Sequence, residues 1–321
     1  MSAAGRVGIL GAPVEAGAGR RGCIMGPAAL RTAGLVGALE DLDFAVEDLG
    51  DVAPSRPFPA IDAADPLWTA KRPDEIAAWT RLLSDRCYDV IRTGAIPIVL
   101  GGDHSLAMGS VNGMARHARD LGRPLCVLWL DAHADFNTRE LSLTGSLHGM
   151  PVSCLCGFGP RELLQIGGAS PAISPRWVRQ IGIRSVDAGE RRFVHEQDLD
   201  VFDMRCIDEL GMRRVMELAL QDMAADTHLH VSFDVDCLDP EIAPGVGTTV
   251  AGGLSYREAQ LCMEMIADSG RVGSLDIMEL NPALDVRNKT AVLAVDLIES
   301  LFGKSTLMRK PLAFPNALID T

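Results

Sequence analysis

The chain has 321 residues, of which 47% are hydrophobic and 23% charged, and its formal net charge is −13 at pH 7. This length suits one large α/β domain or two ordinary ones, and the composition is typical of a water-soluble globular protein. The negative charge argues against nucleic acid and anionic membranes as partners, because both require faces rich in Lys and Arg. No apolar stretch approaches the roughly 18 residues that a membrane span needs.

The N-terminus and the cysteines predict a cytoplasmic protein. Residues 1–17 lack the uninterrupted apolar core of a signal peptide, because Pro13 and Glu15 interrupt it. None of the eight cysteines forms a C-x-x-C pair, although Cys154 and Cys156 come close. They are scattered through apolar runs, so we expect buried, reduced thiols rather than disulfides.

In chain order, apolar runs typical of strands alternate with amphipathic runs typical of helices. The strand-like runs are nearly all apolar, as in parallel strands buried on both faces, and they cover 6–12, 95–102, 124–133, 178–185, 229–236 and 272–280. The helix-like runs have the helical period and cover 73–94, 212–226, 256–270 and 289–303. This alternation predicts a three-layer α/β/α fold with a doubly wound, mostly parallel sheet.

The chain shows no internal boundary. Neither a linker, a low-complexity segment nor a repeat divides it, so we predict a single domain over 1–321. Two irregular segments, 51–72 and a C-terminal tail at 304–321, are expected to be surface excursions. The tail would either pack on a neighbouring subunit or be disordered.

A glycine-rich loop follows the first predicted strand. Gly17, Gly19 and Gly22 match the G-x-G-x-x-G pattern of dinucleotide-binding proteins. That fingerprint must open a helix directly at the turn, whereas the helix here is predicted to start at Pro27. We therefore interpret the motif as a structural loop and not as a nucleotide site.

Ionisable residues gather where the predicted strands end. A single acid at such a place is commonly a helix cap or a turn residue, but here the two patterns D-x-H-x-D and D-x-D occur together. The period of two predicts that Asp131, His133 and Asp135 leave a strand on one face. Because ligand crevices of open α/β sheets lie outside the carboxyl ends of the strands, these groups should converge. The residues concerned are His104, Asp131, His133, Asp135, Asp187, Glu190, Asp234, Asp236 and Glu279.

Six of these residues predict a metal centre. Four crowded carboxylates without a cation would raise one another's pKa values. Together with two imidazoles they are too many for one tetrahedral zinc ion and suit two ions that share bridging carboxylates. Hard oxygen donors favour Mn²⁺, while Zn²⁺, Fe²⁺ or Co²⁺ could substitute. The six candidate ligands are His104, Asp131, His133, Asp135, Asp234 and Asp236.

The segments GGDHS, DAHAD, SFDVDCLDP and DIMELNP, in this order, resemble the ureohydrolase family and, within it, the arginases. The resemblance runs from residue 11 to about residue 303. It implies an α/β/α fold, two Mn²⁺ ions and hydrolysis of a guanidinium group with release of urea. It gives His104, Asp131, Asp135 and Asp234 to one ion and Asp131, His133, Asp234 and Asp236 to the other. Asp131, Asp234 and a hydroxide would bridge the two ions.

The same resemblance implies catalytic roles. Guanidinium is a resonance-stabilised cation that needs a strong nucleophile, and two metal ions provide hydroxide near neutral pH. Asp135 would aim this hydroxide, and Glu279 would pair with the guanidinium. His148 matches the histidine that carries protons to the leaving amine. The remaining histidines, His117, His195, His228 and His230, are expected to be structural.

The loop between Asp135 and His148 bears on the substrate. Its length and its Asn-Thr start resemble arginases, whose loop binds the amino-acid part of arginine. By position, the α-carboxylate would contact Asn137, Thr144 and Ser146, the α-amino group would contact Asp187 and Glu190, and Thr248 would line the pocket. The chain departs from the usual Ser-x-Asn at Thr144 and Ser146. The shorter Ser146 hydroxyl would lose a hydrogen bond to the carboxylate or make it through water.

Three functions follow from this comparison. The first is an arginase that converts L-arginine to L-ornithine and urea. The second is an amidinohydrolase for a related guanidino compound such as guanidinobutyrate, hydroxyarginine or agmatine. The third is a catalytically silent ureohydrolase-like binding protein. Family members form trimers and hexamers, so a homo-oligomer is expected.

Overall fold

The computed structural model describes residues 5–55 and 72–307, and its centre is one sheet of eight strands. The strands, numbered β1 to β8 in chain order, cover Arg6–Ala12, Ala45–Asp51, Ala95–Gly101, Leu125–Leu130, Val178–Ile183, Asp200–Asp203, His228–Asp234 and Val272–Met278. Across the sheet their order is β2-β1-β3-β8-β7-β4-β5-β6, and every neighbouring pair is parallel. The predicted doubly wound parallel sheet is confirmed.

Ten α-helices among the described residues cover both faces of this sheet. Numbered α1 to α10, they cover Gly26–Thr32, Leu35–Glu40, Pro73–Arg92, Ala107–Leu121, Pro151–Leu155, Arg161–Leu164, Ala188–Glu196, Met204–Ala219, Tyr256–Asp268 and Lys289–Leu301. Helices α1, α2 and α8 to α10 pack on one face, and α3 to α7 pack on the other. Strand β4 shows why both faces need cover, since Leu128 belongs to one hydrophobic core and its neighbour Trp129 to the other. The three-layer α/β/α architecture follows.

The predicted elements differ from the observed ones mainly at the sheet edges. Strands β2 and β6 were not predicted, because they are edge strands with few buried residues and lack an apolar run. The predicted helix 212–226 is wrong in its bounds. Helix α8 begins at Met204, where Asp203 caps it, and it passes through a non-helical Gly211 before ending after Ala219.

The strand expected over 124–133 is also shorter than predicted. Strand β4 ends at Leu130, so the alternation of Asp131, His133 and Asp135 is not strand geometry. His133 forms an isolated parallel bridge with Ser185, and Asp135 has a left-handed backbone with φ of 49°. The three side chains still converge, but an irregular segment after the strand brings them together.

The prediction that the cysteines are largely buried and form no disulfides is confirmed. All eight cysteines are free, and all except Cys206 are buried. Among the described residues, none of the helices combines the length and the apolar character that a membrane crossing requires. Most of the predicted excursion 51–72 and of the predicted tail 304–321 lies outside the described residues.

Candidate metal centre and substrate pocket

Three central strands, β3, β7 and β4, bring the predicted ligands to the carboxyl edge of the sheet. Two groups of side chains lie close enough to hold metal ions, one made of His104, Asp131 and Asp135 and the other of Asp131, His133 and Asp236. Asp131 belongs to both groups. Its Oδ2 atom lies 3.1 Å from Nδ1 of His104, and its Oδ1 atom lies 3.4 Å from Nδ1 of His133. Two ions that share one carboxylate fit this geometry.

Main-chain and indole N–H groups fix the carboxylates in place. Trp129 Nε1 donates to Oδ2 of Asp131 over 2.8 Å, and the backbone N–H of His133 donates to its Oδ1 over 2.7 Å. Asp234 accepts from the backbone N–H of Asp236 at 2.7 Å, and Asp236 in turn accepts from Ala132 at 3.1 Å. Asp234 Oδ2 lies 2.9 Å from His104 Nδ1, which joins this carboxylate to the first group.

The electrostatics of this cluster favour a bound cation. Burial raises the pKa values of Asp135 and Asp234 well above the usual range, and neighbouring carboxylate charges add to the effect. Burial lowers the pKa of His104, but the hydrogen bond and charge of Asp131 outweigh it and bring the pKa to about 9. Burial also lowers the pKa of His133, but the charges and hydrogen bonds of Asp236 and Asp131 together outweigh it and raise this pKa to about 12. Without metal, the cluster therefore holds protons where divalent cations would supply positive charge, and this donor set fits metal ions.

As the pH rises, the contribution of His104 to the stability of the metal-free protein should fall, whereas the contribution of bound metal should grow. The folded-state pKa of His104, about 9, exceeds its usual 6.5, so its contribution to metal-free stability is complete below pH 6.5 and lost as the pH rises through 9. A ligating imidazole must be neutral, so the contribution of bound metal grows over the same window. The difference in Tm between manganese-loaded and chelator-treated protein should therefore increase from pH 6.5 to 9. A difference that stays constant or shrinks would contradict ligation by His104.

A cavity of about 120 Å³ lies over the cluster. Most of the predicted site residues line it, namely His104, His133, Asp135, Asn137, His148, Asp187, Glu190, Asp234, Asp236, Thr248 and Glu279. Asp131 is fully buried beneath them. Thr144 is exposed and Ser146 is buried, and neither belongs to this lining, so the structure does not bring these two to the cavity wall. The lining includes one side chain that the sequence analysis missed, Ser185, which lies two residues before Asp187.

Glu279 and His148 form an ion pair at the wall of the cavity. Oε1 of Glu279 accepts the backbone N–H of His104 at 2.8 Å and lies 2.9 Å from Nδ1 of His148. Oε2 accepts no hydrogen bond from the described residues, so it is free to meet a ligand. Burial raises the pKa of Glu279, but the charge and hydrogen bond of His148 outweigh it and keep this pKa below its usual range. Burial lowers the pKa of His148, but the charge and hydrogen bond of Glu279 together with the charge of Asp103 outweigh it, so this pKa is raised.

The acids expected to hold a substrate amino group differ from each other. Glu190 accepts the backbone N–H of Phe136 on Oε1 at 2.8 Å and that of Asp187 on Oε2 at 3.2 Å. It thereby completes the capping box of α7 and ties this helix to the segment after Asp135. Asp187 accepts from Nδ2 of Asn137 at 3.2 Å. Oδ1 of Asn137 is buried without a hydrogen-bond partner among the described residues. This oxygen is therefore available to accept a hydrogen bond from a ligand.

The glycine-rich loop supports the site and does not open a helix. A 3₁₀ turn over Cys23–Met25 separates it from α1, as the interpretation of the motif required. The N–H of Gly17 donates to Asp103 at 2.8 Å, and a Cβ at Gly17 would lie 2.6 Å from Oδ1 of Asp103. The carbonyl of Gly17 accepts the backbone N–H of His148 at 3.3 Å. Glycine at this position therefore lets the loop approach both the strand end and the histidine.

The chain is similar to known proteins over nearly its whole length. The profile described as the arginase family matches residues 5–303. An arginase of Agrobacterium fabrum is 48% identical over 95% of this chain and 93% of its own length, and one of Bacillus subtilis is 43% identical over 94% and 99%. A solved structure of arginase from Bacillus caldovelox has a TM-score of 0.87 and 42% identity, covering 94% of this chain and 100% of that one.

Proposed function

The chain belongs to the arginase family, and from this premise we propose that it hydrolyses the guanidinium group of L-arginine to L-ornithine and urea. The observation that carries the proposal is the cavity that Glu279, with its free carboxylate oxygen, lines together with five of the six predicted metal ligands. An ionised carboxylate is the natural partner of guanidinium, and this one lies beside the side chains that would hold the metal ions. The chain is therefore proposed to be a hydrolase of linear amidines.

We further propose that the cluster holds two Mn²⁺ ions. His104, Asp135, Asp131 and Asp234 would bind one ion, and His133, Asp236 and the two shared carboxylates would bind the other. The position of Asp131 between both histidines supports the shared arrangement. When bound, the ions lower the pKa of water so that hydroxide is available near neutral pH.

The side chains around the cavity would orient the substrate and move its protons. Glu279 holds the guanidinium so that its carbon faces the nucleophile, and Asp135 accepts a hydrogen bond that aims the nucleophile. His148 carries a proton to the leaving amine, and its raised pKa favours the protonated form of the ring. Asn137 would donate the second hydrogen of its Nδ2 group, whose first hydrogen bonds to Asp187, to the α-carboxylate. Asp187 would accept from the α-amino group, with Glu190 holding Asp187 in place.

A substrate panel tests this function. Manganese-loaded protein should release urea from L-arginine with a kcat/KM about 10- to 100-fold above that for agmatine, because agmatine lacks the carboxylate and one charged hydrogen bond contributes about 1.5–3 kcal/mol. Guanidinobutyrate and hydroxyarginine complete the panel, since the departure at Thr144 and Ser146 raises the question of a related guanidino acid. Equal or faster turnover of agmatine would overturn the assignment to arginine. Absence of urea from every compound would favour a silent binding protein.

His148→Ala is expected to reduce kcat about 10²- to 10⁴-fold, the usual contribution of a positioned general acid. The metal content should remain at two ions per chain, because the His148 ring contacts Glu279 and none of the predicted ligands. Steady-state kinetics and metal analysis check both parts. His195→Ala provides the control, since His195 is exposed on α7, and its kinetics should match those of the wild type. Loss of metal from His148→Ala would contradict its role in proton transfer.

We also propose a homo-oligomer, a trimer or a hexamer, that resides in the cytoplasm. The resemblance to ureohydrolases supports the assembly, and eight unpaired cysteines support a reducing compartment. Sedimentation of the full chain measures the number of subunits.

A further inference from the structure

A continuous chain of buried polar groups leads away from the metal centre into the sheet. It starts at His104 and follows β7 and β8 through Ser232, Asp276, His230 and Ser274, all of which are at most 1% exposed. Polar side chains are rarely placed in the middle of a parallel sheet unless they bond to one another. None of these groups belongs to the predicted ligand set except His104.

The contacts of the chain are short and consecutive. Nε2 of His104 lies 2.9 Å from Oγ of Ser232, and this hydroxyl donates to Oδ1 of Asp276 over 2.6 Å. On the other side, Nε2 of His230 lies 2.9 Å from Oδ2 of Asp276, and Nδ1 of His230 lies 2.7 Å from Oγ of Ser274. Ser110 on α4 also donates to Oδ2 of Asp276. Asp276 is thus the common acceptor on which the chain converges.

The donor directions follow from this convergence. An ionised carboxylate only accepts hydrogen bonds, so the Ser232 hydroxyl proton must point at Asp276. The Ser232 oxygen is then left to accept, and Nε2 of His104 must carry the ring proton. The lone pair of the neutral ring therefore lies on Nδ1, which faces Asp131, Asp135 and Asp234 at 2.9–3.3 Å. Trp129 stacks on the ring at 4.1 Å and holds its plane.

We propose that Asp276 is a positioning residue which, acting through Ser232, fixes the His104 ring in the tautomer whose Nδ1 lone pair binds metal. This inference rests on the proposed metal centre. Asp276 touches neither substrate nor metal and acts only by orienting a ligand. Its effect is confined to the ion held by His104, because the other ion takes its imidazole from His133.

Manganese titration of the metal-free protein by calorimetry tests the inference, since it measures the affinity for each of the two equivalents of manganese separately. Asp276→Asn keeps the shape of the side chain but lets an amide donor face Ser232. The direction of donation along the hydrogen-bonded side chains is then no longer fixed. Ser232→Ala removes the acceptor of His104 Nε2 with a smaller disturbance of the core. In both variants one equivalent should bind about 10- to 100-fold more weakly, while the other keeps its affinity.

Ser274→Ala is the matched control. It removes a hydroxyl that is as deeply buried on the same pair of strands, but it leaves the bonds from Asp276 to Ser232 intact. This variant should bind both equivalents of manganese with the affinities of the wild type, even if its Tm changes. Unchanged binding in Asp276→Asn or Ser232→Ala would overturn the inference, and so would equal weakening of both equivalents in all three variants, which indicates general loosening of the core.

The outcome is distinguishable from failure of the proposed function. Wild-type protein that binds two manganese ions but releases no urea from arginine would refute the function and leave the role of Asp276 open to the same titration. Wild-type protein that binds no manganese would overturn both.

Discussion

Asp131→Asn is expected to abolish the binding of at least one metal ion and to lower urea release by at least about 10³-fold. Among the described residues, Asp131 is the one carboxylate that lies within ligand distance of both histidines, through Oδ2 toward His104 and Oδ1 toward His133. An amide at this position offers one oxygen and one NH₂ group, so one of the two ions would face a donor instead of a ligand. Since the ions provide the nucleophile, little activity should survive their loss.

The measurement combines metal analysis with urea release after manganese loading. Asp239→Asn is a matched control, because Asp239 also follows β7 but accepts backbone N–H groups of Glu241, Gly252 and Gly253 outside the cluster. The control should retain two ions per chain. If Asp131→Asn retained both ions and lost only activity, Asp131 would be a catalytic group and not a shared ligand.

The central sheet could be predicted from the sequence because its strands are buried on both faces. The run over 95–102, for example, is almost wholly apolar and matches β3 to within one residue. The edge strand β2 could not be predicted in the same way, because its residues face water and carry acids. Strands that are buried on both faces can therefore be recognised in the sequence by their apolar runs, whereas the edge strand lacks such a run.

The candidate site was predictable for a related reason. The motifs around His104, Asp131 and Asp234 follow central strands, and parallel strands bring their carboxyl ends to one edge. What the spacing could not predict is how the side chains converge. Asp135 turns into the cluster through a left-handed backbone, and a period of two gives no sign of it.

Long-range contacts were the least predictable part of the site. Glu190 caps α7 and also lines the cavity. Its position there depends on the hydrogen bond from the backbone N–H of Phe136, which the sequence does not indicate. Asp276 meets Ser232 and Ser110 from positions 44 and 166 residues away in sequence. Neither serine has a local pattern that would single it out, so the hydrogen-bonded chain behind His104 could be seen only in the folded protein.

Glu279→Gln is expected to lower kcat/KM for arginine by roughly 10²- to 10⁴-fold. Guanidinium is permanently charged, and removing its buried carboxylate partner typically costs about 3–5 kcal/mol. The amide oxygen could still accept from His104 and His148, but the NH₂ group would then face the cavity at the position of Oε2 and repel the guanidinium. Metal content should not change, because Oε1 contacts the backbone N–H of His104 and not its ring.

A comparison of two substrates separates this effect from general damage to the pocket. Glu279→Gln should impair arginine and agmatine by similar factors, since both carry the guanidinium. Asp187→Asn, which preserves a good helix cap, should impair arginine and leave agmatine nearly unaffected, because only arginine has the α-amino and carboxylate groups. The loss of Glu279 also removes the charge that raises the pKa of His148. The alkaline limb of the kcat profile should therefore move to lower pH in Glu279→Gln, and a profile that stays in place would mean that another group carries the proton.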